Sequence, residues 1–478
     1  MRNQYTTDRA CGQALTPVDI GDGKPLGYWV KDDQGRVYHV YTEDELPLLD
    51  RSPSGRVRPW RERHRAGLML AEIYNAMGET GADGAAGWLN KAQRLESCAQ
   101  YVEFARADDG QLTLHNSSFC RVRLCPMCQW RRSLKLGAQV RQVVERANAE
   151  HIAQTGAPWR WLMVTYTIRN VEGVDLGAAI DRIHRGLNNM AKSKAWRGAV
   201  NGWLRATEVT HNTNTNSASY DTYHPHMHLL LCVPAGYMSG KGYITQRGWA
   251  QLWQHYVGAD YTPVVDVRAV KPEGGGRLSD LPAGAQAAAM GKACAEVSKY
   301  AAKPADYIVP SDLELSMSTV QILDAALNKR RMTSWGGLLK DIAKQLQLDD
   351  PESGDLVHID DAASADQTAE QIGNYVAYNW ALGAGDYLKI GQRQGQTPAA
   401  ERAQHAAGRR AVKVGRTAAQ QREDAADWWT VETYLDANSW DKRVRAAAVD
   451  DLRTLPRATI ERRLQSMVDL PEGWDNET

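Results

Sequence analysis

The chain has 478 residues, a hydrophobic content of 43%, a mean hydropathy of −0.51 and a formal net charge of zero from 57 basic and 57 acidic side chains. This length predicts two to four domains, and the composition is typical of a soluble globular protein. No apolar run approaches the length of a membrane span, and the first residues lack the apolar segment of a signal peptide. We therefore expect a cytoplasmic protein with no membrane partner.

The neutral total hides strongly segregated charges. Residues 51–65 hold six Arg against one Glu, residues 349–370 hold eight acids and no Lys or Arg, and residues 402–422 hold six basic side chains and no acid. Basic blocks permit binding to phosphates, but each block taken alone is more often a solvated surface. The acidic block fits either a linker or a strip that binds a partner.

In chain order, residues 1–50 are polar and rich in turn formers, and they say little about structure. The apolar spacing over residues 65–77 predicts a helix. Residues 96–128 are typical of short strands around a group of cysteines, and residues 130–152 of a basic helix. A turn-rich break at residues 154–158 marks a domain boundary.

The cysteine group contains Cys120, Cys125 and Cys128, with Cys98 upstream. In a reducing cytosol this spacing favours zinc over disulfides, and the Cys-Pro-Met-Cys turn lets two thiolates reach one tetrahedral ion. Cys98 is the expected fourth ligand, with His115 as its substitute. Four arginines surround the group and would suit contact with DNA, namely Arg121, Arg123, Arg131 and Arg132.

After the boundary, strands and helices alternate. Strand-like runs lie at residues 161–168, 203–210, 224–233 and 263–270, and helix-like runs lie at residues 176–196, 246–257 and 285–303. Pro304 ends the last helix. The order β-α-β-β-α-β-α contains one hairpin, which predicts an α+β fold with an antiparallel sheet and helices packed on one face.

The third strand carries three of the chain's twelve histidines, His224, His226 and His228. Residues two apart on a strand share a face, so these imidazoles project together while Met227 and Leu229 face a core. Neutral imidazoles suit a divalent metal because they bind it without charge repulsion. The alternative is a half-buried strand with alternating histidines, but their density favours a metal site.

The last predicted helix carries Glu296 and Tyr300 four residues apart, and therefore on one helical face, beside Lys299 and Lys303. A tyrosine phenol has a pKa of about 10, so it attacks poorly unless a metal or base is close. A carboxylate, a lysine and a metal site together suit phosphoryl transfer to tyrosine. Without the histidine strand, the same residues would indicate only an ordinary helix surface.

These motifs together resemble the HUH endonucleases, and more closely the rolling-circle replication initiator (Rep) proteins of bacterial plasmids. The resemblance covers about residues 58–345 and keeps the family's motif order. Its motifs are a first strand at Leu162 to Thr167, the signature from Cys120 through Cys125-Pro-Met-Cys128 to Arg131-Arg-Ser133, the core His224-Pro-His-x-His228, and Glu296-x-x-Lys-Tyr300-x-x-Lys303.

The resemblance implies an HUH catalytic domain of the ferredoxin-like or RRM-like kind over residues 156–345. An N-terminal polar segment (residues 1–57) and a helix with the zinc-binding cysteine region (residues 58–155) would precede it. An acidic linker and a mainly helical C-terminal region (residues 346–478) would follow.

For the catalytic metal, the resemblance implies that His226 and His228 bind Mn²⁺ or Mg²⁺ with a third ligand from the preceding strand. Glu208 is the best candidate for that ligand, and His224 is the runner-up. The metal would polarise the scissile phosphate of origin DNA that is single-stranded or extruded as a hairpin.

For the reaction, the resemblance implies that Tyr300 attacks this phosphate, leaving a 3′-OH for the host DNA polymerase and a 5′-phosphotyrosine link. Some relatives carry a second tyrosine where this chain has Glu296, whose carboxylate would instead activate water for the second cleavage. Lys299 joins Tyr300 and Glu296 in the expected catalytic group, while Tyr307 is a less favoured nucleophile. A host helicase is a further expected partner.

Other functions account for parts of the pattern. An HUH relaxase or transposase shares the chemistry but usually lacks the cysteine signature. A zinc-cluster DNA-binding protein without catalysis explains the cysteines and arginines but not the histidine strand. A metal hydrolase or oxygenase with three histidines explains that strand but not Glu296 and Tyr300.

Overall fold

The computed structural model describes most of the chain, with gaps. The described residues are 28–31, 37–40, 47–52, 55–81, 84–107, 110–272, 275–276, 278–281, 285–286, 289–299, 301–359, 374–381 and 385–394. Within them, no helix is both long enough and apolar enough to cross a lipid bilayer.

The strands found in this part of the chain are, in order, β1 (Tyr28–Lys31), β2 (Val37–Val40), β3 (Tyr101–Arg106), β4 (Leu112–Ser117), β5 (Arg160–Thr167), β6 (Gly202–His211), β7 (Tyr223–Val233), β8 (Val265–Ala269), β9 (Thr333–Gly337), β10 (Asn374–Ala381) and β11 (Asp386–Gln394). The helices are α1 (Trp60–Glu79), α2 (Ala85–Glu96), α3 (Pro126–Thr155), α4 (Leu176–Met190), α5 (Lys194–Ala199), α6 (Gln246–Val257), α7 (Gly291–Val297), α8 (Leu313–Leu327) and α9 (Leu338–Gln345).

Helix ends follow local chemistry. Helix α3 begins with Pro126 at its first turn, where proline's missing N–H is harmless, and ends at Gly156, whose φ of 77° is left-handed. Helix α6 begins where Thr245 accepts a hydrogen bond from the N–H of Gly248, and it ends at Gly258 with φ of 66°. The predicted bounds of α6 are confirmed.

The chain divides into two compact units that are not collinear with the sequence. One unit takes its described residues from Met1–Arg65, Ala99–Ser118 and Gln367–Arg463, and the other from Ala66–Cys98 and Phe119–Asp366. This division differs from the predicted linear boundaries at residues 57, 155 and 345.

The first unit holds two antiparallel sheets. Strands β1 and β2 pair with each other, and the second sheet has the order β11-β10-β3-β4. Strands β10 and β11 therefore correct the expectation of a linker and helices over that stretch. The expected helical tail beyond residue 394 lies outside the described residues.

The second unit is built on one antiparallel sheet with the order β8-β5-β7-β6-β9. The predicted β6–β7 hairpin and the predicted element order up to α7 are confirmed, with α4 and α5 as two helices in place of one and with β9 added at the edge. Strand β7 lies at the centre and is almost fully buried from Tyr223 to Val233.

Helices cover both faces of this sheet, which corrects the prediction of helices on one face. Odd-numbered residues of β7, such as Leu229 and Leu231, pack with residues of α4, α5 and α6. Even-numbered residues, such as Leu230 and Cys232, pack with α3, α7 and α9. Because both faces of β7 are buried, its apolar run is continuous and not alternating.

Helix α7 corrects the predicted helix at residues 285–303, because it ends at Val297. The hydroxyl of Ser298 donates to the carbonyl of Cys294, and the N–H of Val209 on β6 donates to the carbonyl of Ala301. The backbone after α7 is thus hydrogen-bonded to β6, beyond the part of that strand that pairs with β9. Helix α7 therefore ends several residues before Pro304.

Candidate metal centres

Glu208, His226 and His228 converge on the face of the sheet that α3 and α7 cover. In the β6–β7 register Glu208 lies opposite His226, and Ala206 lies opposite His228. The Nε2 atoms of His226 and His228 lie 3.5 Å and 3.3 Å from Oε2 of Glu208. Ligand atoms of the three residues all lie within 4.8 Å of one another, so they can hold one metal ion.

Hydrogen bonds at Nδ1 set the orientation of both imidazoles. Nδ1 of His226 lies 3.1 Å from the carbonyl oxygen of His224, and a carbonyl only accepts, so this nitrogen carries the proton in the neutral ring. Nδ1 of His228 lies 3.2 Å from the hydroxyl of Thr165 on β5. The lone pair of Nε2 on His226 is therefore free to bind a metal, which is the usual arrangement for a histidine ligand.

Glu208 is a buried carboxylate, with 3% of its surface exposed. Burial by itself would raise the pKa of Glu208, but hydrogen bonds to His226 and His228 and their charge outweigh burial and hold it well below the ordinary value. Nζ of Lys303 lies 3.7 Å from the other carboxylate oxygen. The site therefore keeps an ionised oxygen ligand, which suits a hard divalent cation.

Glu296 and Lys299 lie beside this centre. Oε1 of Glu296 lies 2.8 Å from Nζ of Lys299 and 3.6 Å from Nδ1 of His228. The structure thus brings Glu296 and Lys299 to the predicted site. Tyr300 lies outside the described residues, and α7 ends at Val297, so the placement of Tyr300 on one face with Glu296 stays a prediction.

Two runner-up residues are placed away from these roles. His224 stacks on His226 with ring centroids 5.1 Å apart, but it is not among the three converging ligands. Tyr307 is fully buried, and its hydroxyl donates to the carbonyl of Leu124 at 2.6 Å. A hydroxyl used in this way has a structural role.

The cysteines Cys98, Cys120, Cys125 and Cys128 form a second cluster. The Sγ atom of Cys98 lies 3.6 Å from that of Cys125 and 3.7 Å from that of Cys128, and Cys120 lies 3.6 Å from Cys128. Sulfurs about 2.3 Å from one tetrahedral zinc are about 3.8 Å apart, so this spacing fits the ion. Backbone N–H groups of Cys120 and Arg121 also point at the sulfurs of Cys98 and Cys128.

The arginines around this cluster contact the first part of the acidic block. Arg123 pairs with Glu352 at 2.9 Å, Arg121 donates to the carbonyls of Ser353 and Gly354, and Arg131 donates to the carbonyls of Leu356 and Val357. This part of the block is therefore neither a free linker nor an exposed strip. The remainder, after Ile359, lies outside the described residues.

Sequence reasoning missed Thr165 and Glu352. Thr165 orients His228 only because β5 pairs with β7 in a register that sets these two residues opposite each other. Glu352 accepts hydrogen bonds from the backbone N–H groups of Met332 and Thr333 as well as from Arg123. Neither residue belongs to a local motif, so only the pairing of distant segments could find them.

Known proteins resemble the chain over most of its length. The Replication protein family matches residues 111–388. "Protein rep" of Bacillus amyloliquefaciens is 37% identical over 351 residues, covering 73% of this chain and 98% of that protein. "Protein rep" of Streptococcus pneumoniae serotype 2 is 35% identical over 318 residues, covering 66% and 88%. A third "Protein rep", from a Bacillus species, is 39% identical over 293 residues, covering 61% and 91%. No solved structure matches the chain significantly.

Proposed function

Since this chain belongs to the Replication protein family and is a plasmid replication initiator, we propose that it starts rolling-circle replication by nicking the plasmid origin. The observation that supports nicking is the convergence of Glu208, His226 and His228. A carboxylate and two oriented imidazoles leave coordination positions open, which a phosphate oxygen needs. The histidine pair on the central strand of an antiparallel sheet also supports membership of the HUH endonucleases.

The residues fit a divalent metal, and we assign them to Mn²⁺ or Mg²⁺. Such an ion, when bound, would polarise the scissile phosphate of the origin strand. The chain supplies the ligands Oε2 of Glu208 and Nε2 of His226 and His228. Thr165 and the carbonyl of His224 keep the imidazoles in place, and Lys303 adds a cation beside the carboxylate.

The proposed nucleophile is Tyr300. Its phenolic oxygen forms a bond to phosphorus while the bond from phosphorus to the 3′ oxygen breaks. The phenol gives up one proton and the departing 3′ oxygen takes up one, so the products are a 3′-OH and a 5′-phosphotyrosine. Glu296, which lies close to His228 and Lys299, would then accept a proton from a water molecule. The water oxygen would form a bond to the phosphorus of the phosphotyrosine while the bond from phosphorus to the tyrosine oxygen breaks. The phenol would take up a proton, and the DNA would leave with a 5′-phosphate.

The cysteine cluster would hold a structural zinc ion. The sulfur spacing and the tight turn from Cys125 to Cys128 support this assignment. Structural zinc contributes folding energy directly, and here it would join the start of α3 to the segment around Cys98.

The partners follow from the reaction. A replication initiator binds its origin DNA, and nicking would require that DNA to be single-stranded or extruded as a hairpin. The 3′-OH would serve as primer for the host polymerase, and a host helicase would open the duplex ahead of it. The initiator would act in the bacterial cytoplasm, where the plasmid lies.

Covalent capture tests the proposal. A pool of single-stranded oligonucleotides labelled at the 3′ end would be incubated with protein and Mn²⁺ and run on a denaturing gel. The proposed chemistry predicts a labelled band that resists SDS and disappears in Tyr300→Phe. A protein that binds the pool yet forms no adduct would be a zinc-cluster DNA-binding protein without catalysis, and the proposal would be wrong.

A further inference from the structure

A cleft of about 50 Å³ opens beside the proposed nicking site, several times the roughly 10–15 Å³ that one water needs. Side chains of α3, the segment after α7 and the start of β9 line it. The residues used below are Gln129, Arg132, Leu136, Lys299, Ala301 and Met332.

Gln129 is the residue of this cleft that indicates a bound ligand. The side chain is 5% exposed, and within the part of the chain that the structure describes neither its Oε1 nor its Nε2 has a hydrogen-bond partner. Buried carboxamides are normally paired, because an unpaired one loses its hydrogen bonds to water without replacement. An adjacent free donor and free acceptor fit a ligand that offers one of each.

The other side chains that line the cleft indicate which class of ligand it can bind. Leu136 and Met332 are 3% exposed and provide apolar contact, which suits a flat ring. Arg132 lies on the same lining, where its guanidinium donates hydrogen bonds to the carbonyls of Glu352 and Arg121. An apolar slot, a carboxamide and a cation together fit a nucleotide, with its base inside and its phosphate outside.

The cleft is linked to the proposed metal centre through Lys299. Lys299 lines the cleft and pairs with Glu296 at 2.8 Å, and Glu296 lies 3.6 Å from His228. Lys299 and Ala301 also flank position 300 in the sequence. A strand whose scissile phosphate lies at the metal centre would therefore pass the mouth of the cleft.

We propose that this cleft takes one unpaired base of the origin strand next to the nick, and that Gln129 recognises it. A glutamine carboxamide matches a base edge with one donor and one acceptor side by side, as adenine presents. Single-stranded DNA can turn such a base out of its stack and into a pocket. The inference rests on the proposed function, since it assumes that DNA binds at the metal centre.

The test is selection from a random pool of single-stranded DNA in EDTA, where binding proceeds without cleavage. Bound DNA would be sequenced for the parent protein, for Gln129→Leu, and for Gln321→Leu, which makes the same change at an exposed residue of α8. We expect the parent and Gln321→Leu to favour one base at one position by about 5- to 150-fold. Gln129→Leu should lose that preference alone.

Three results would overturn the inference. One is an unchanged base profile in Gln129→Leu. Another is uniform weakening of binding to all sequences, which indicates that Gln129 contacts the DNA backbone and not a base. Thermal unfolding checks the variant, because leucine in place of an unpaired carboxamide should not lower the Tm. The third is a Tm lowered by several degrees in Gln129→Leu. It would show that the carboxamide of Gln129 forms hydrogen bonds within the protein, so that no ligand is needed to satisfy it.

The outcome is separable from that of the proposed function. If the parent protein forms no covalent adduct but Gln129→Leu still loses one base preference, nicking fails and base recognition stands. If the adduct forms equally well and with the same base profile in both proteins, nicking stands and the role of Gln129 fails.

Discussion

Glu208 and His226 are register partners in the β6–β7 hairpin, and the carboxylate oxygen of one lies 3.5 Å from Nε2 of the other. Their backbones belong to adjacent hydrogen-bonded strands at the interior of a five-stranded sheet. Ligands on such strands are held with little freedom, so a metal can bind without much ordering of the protein. Every expectation about the metal centre depends on this pair.

We expect His226→Ala, His228→Ala and Glu208→Ala to abolish nicking, because each removes one of three converging ligands. EDTA should stop the parent protein reversibly, with Mn²⁺ or Mg²⁺ restoring it, whereas the variants should stay inactive on metal addition. The measurements are a nicking gel and Mn²⁺ titration by calorimetry. Cleavage by a double histidine variant in EDTA would contradict the assignment.

Two further variants test the assignment of the ligands through the size of their effect on Mn²⁺ affinity. Thr165→Val keeps the shape of the side chain but removes the hydroxyl beside Nδ1 of His228, so Mn²⁺ affinity should fall about 10- to 100-fold. His224→Ala should leave affinity nearly unchanged, because the bond to His226 comes from the backbone carbonyl. A larger loss in His224→Ala than in Thr165→Val would restore His224 as a ligand.

We expect Tyr300→Phe to lose both nicking and the covalent adduct while DNA binding stays intact, because only the attacking oxygen is removed. Tyr307→Phe is the matched control. It should keep the adduct but lower the free energy of unfolding by about 0.5–1.5 kcal/mol, since its hydroxyl bonds the carbonyl of Leu124. Adduct formation in Tyr300→Phe and its absence in Tyr307→Phe would exchange the two roles.

We expect Cys98→Ser or Cys128→Ser to lower bound zinc and destabilise the fold, because each removes one of four clustered sulfurs. Elemental analysis of the purified protein and its thermal unfolding are the measurements. Cys232→Ala, in the core of the sheet away from the cluster, should keep its zinc. Zinc-free parent protein whose cysteines all react readily with a thiol reagent would rule out the site.

We expect Glu296→Ala to nick and form the tyrosine adduct but to release DNA slowly, so that the covalent complex accumulates. General-base assistance is typically about 10²–10⁴-fold, which a time course on a denaturing gel resolves. If Glu296 only positions Lys299 and His228, which it contacts, the first nick should fall as much as release. Normal release would indicate that another carboxylate is the base.

The lowered pKa of Glu352 predicts that the free energy of unfolding depends on pH. Burial opposes its ionisation, but Arg123 and the N–H of Thr333 outweigh burial and lower the pKa of Glu352 in the folded protein. A lowered folded pKa contributes stability above the unfolded pKa of about 4.3, and this contribution is lost as the pH falls through the folded value.

Glu352→Gln should therefore be less stable than the parent at pH 7, by about 1–3 kcal/mol, because it loses the charged partner of Arg123. The difference should shrink as the pH falls below about 4. Chemical denaturation at several pH values measures it, with exposed Glu172→Gln as the control. A difference that does not change with pH would mean that the charge of Glu352 is not what stabilises the fold.

The local sequence determined which residues were expected to carry the chemistry. Three histidines at every second position predicted a strand with one functional face, and the close cysteines predicted a metal cluster, because strand alternation and short turns depend on neighbours in the chain. Glu208 followed as well, through the resemblance and the expectation that its strand pairs with the histidine strand. The hairpin and α6 were predicted for the same reason.

The tertiary structure decided everything that depends on partners distant in sequence. A hydrophobic pattern reports that a face is buried but not which segment covers it, so helices on both faces of the sheet were not foreseen. Strand pairing is equally non-local, so a linker and helices were expected after residue 345, whereas β10 pairs with β3 and β11 pairs with β10. After α7 the chain bonds to β6, from the N–H of Val209 to the carbonyl of Ala301, where the sequence predicted a continued helix. Pairing between β5 and β7 places Thr165 at His228, and among the described residues the buried carboxamide of Gln129 has no hydrogen-bond partner.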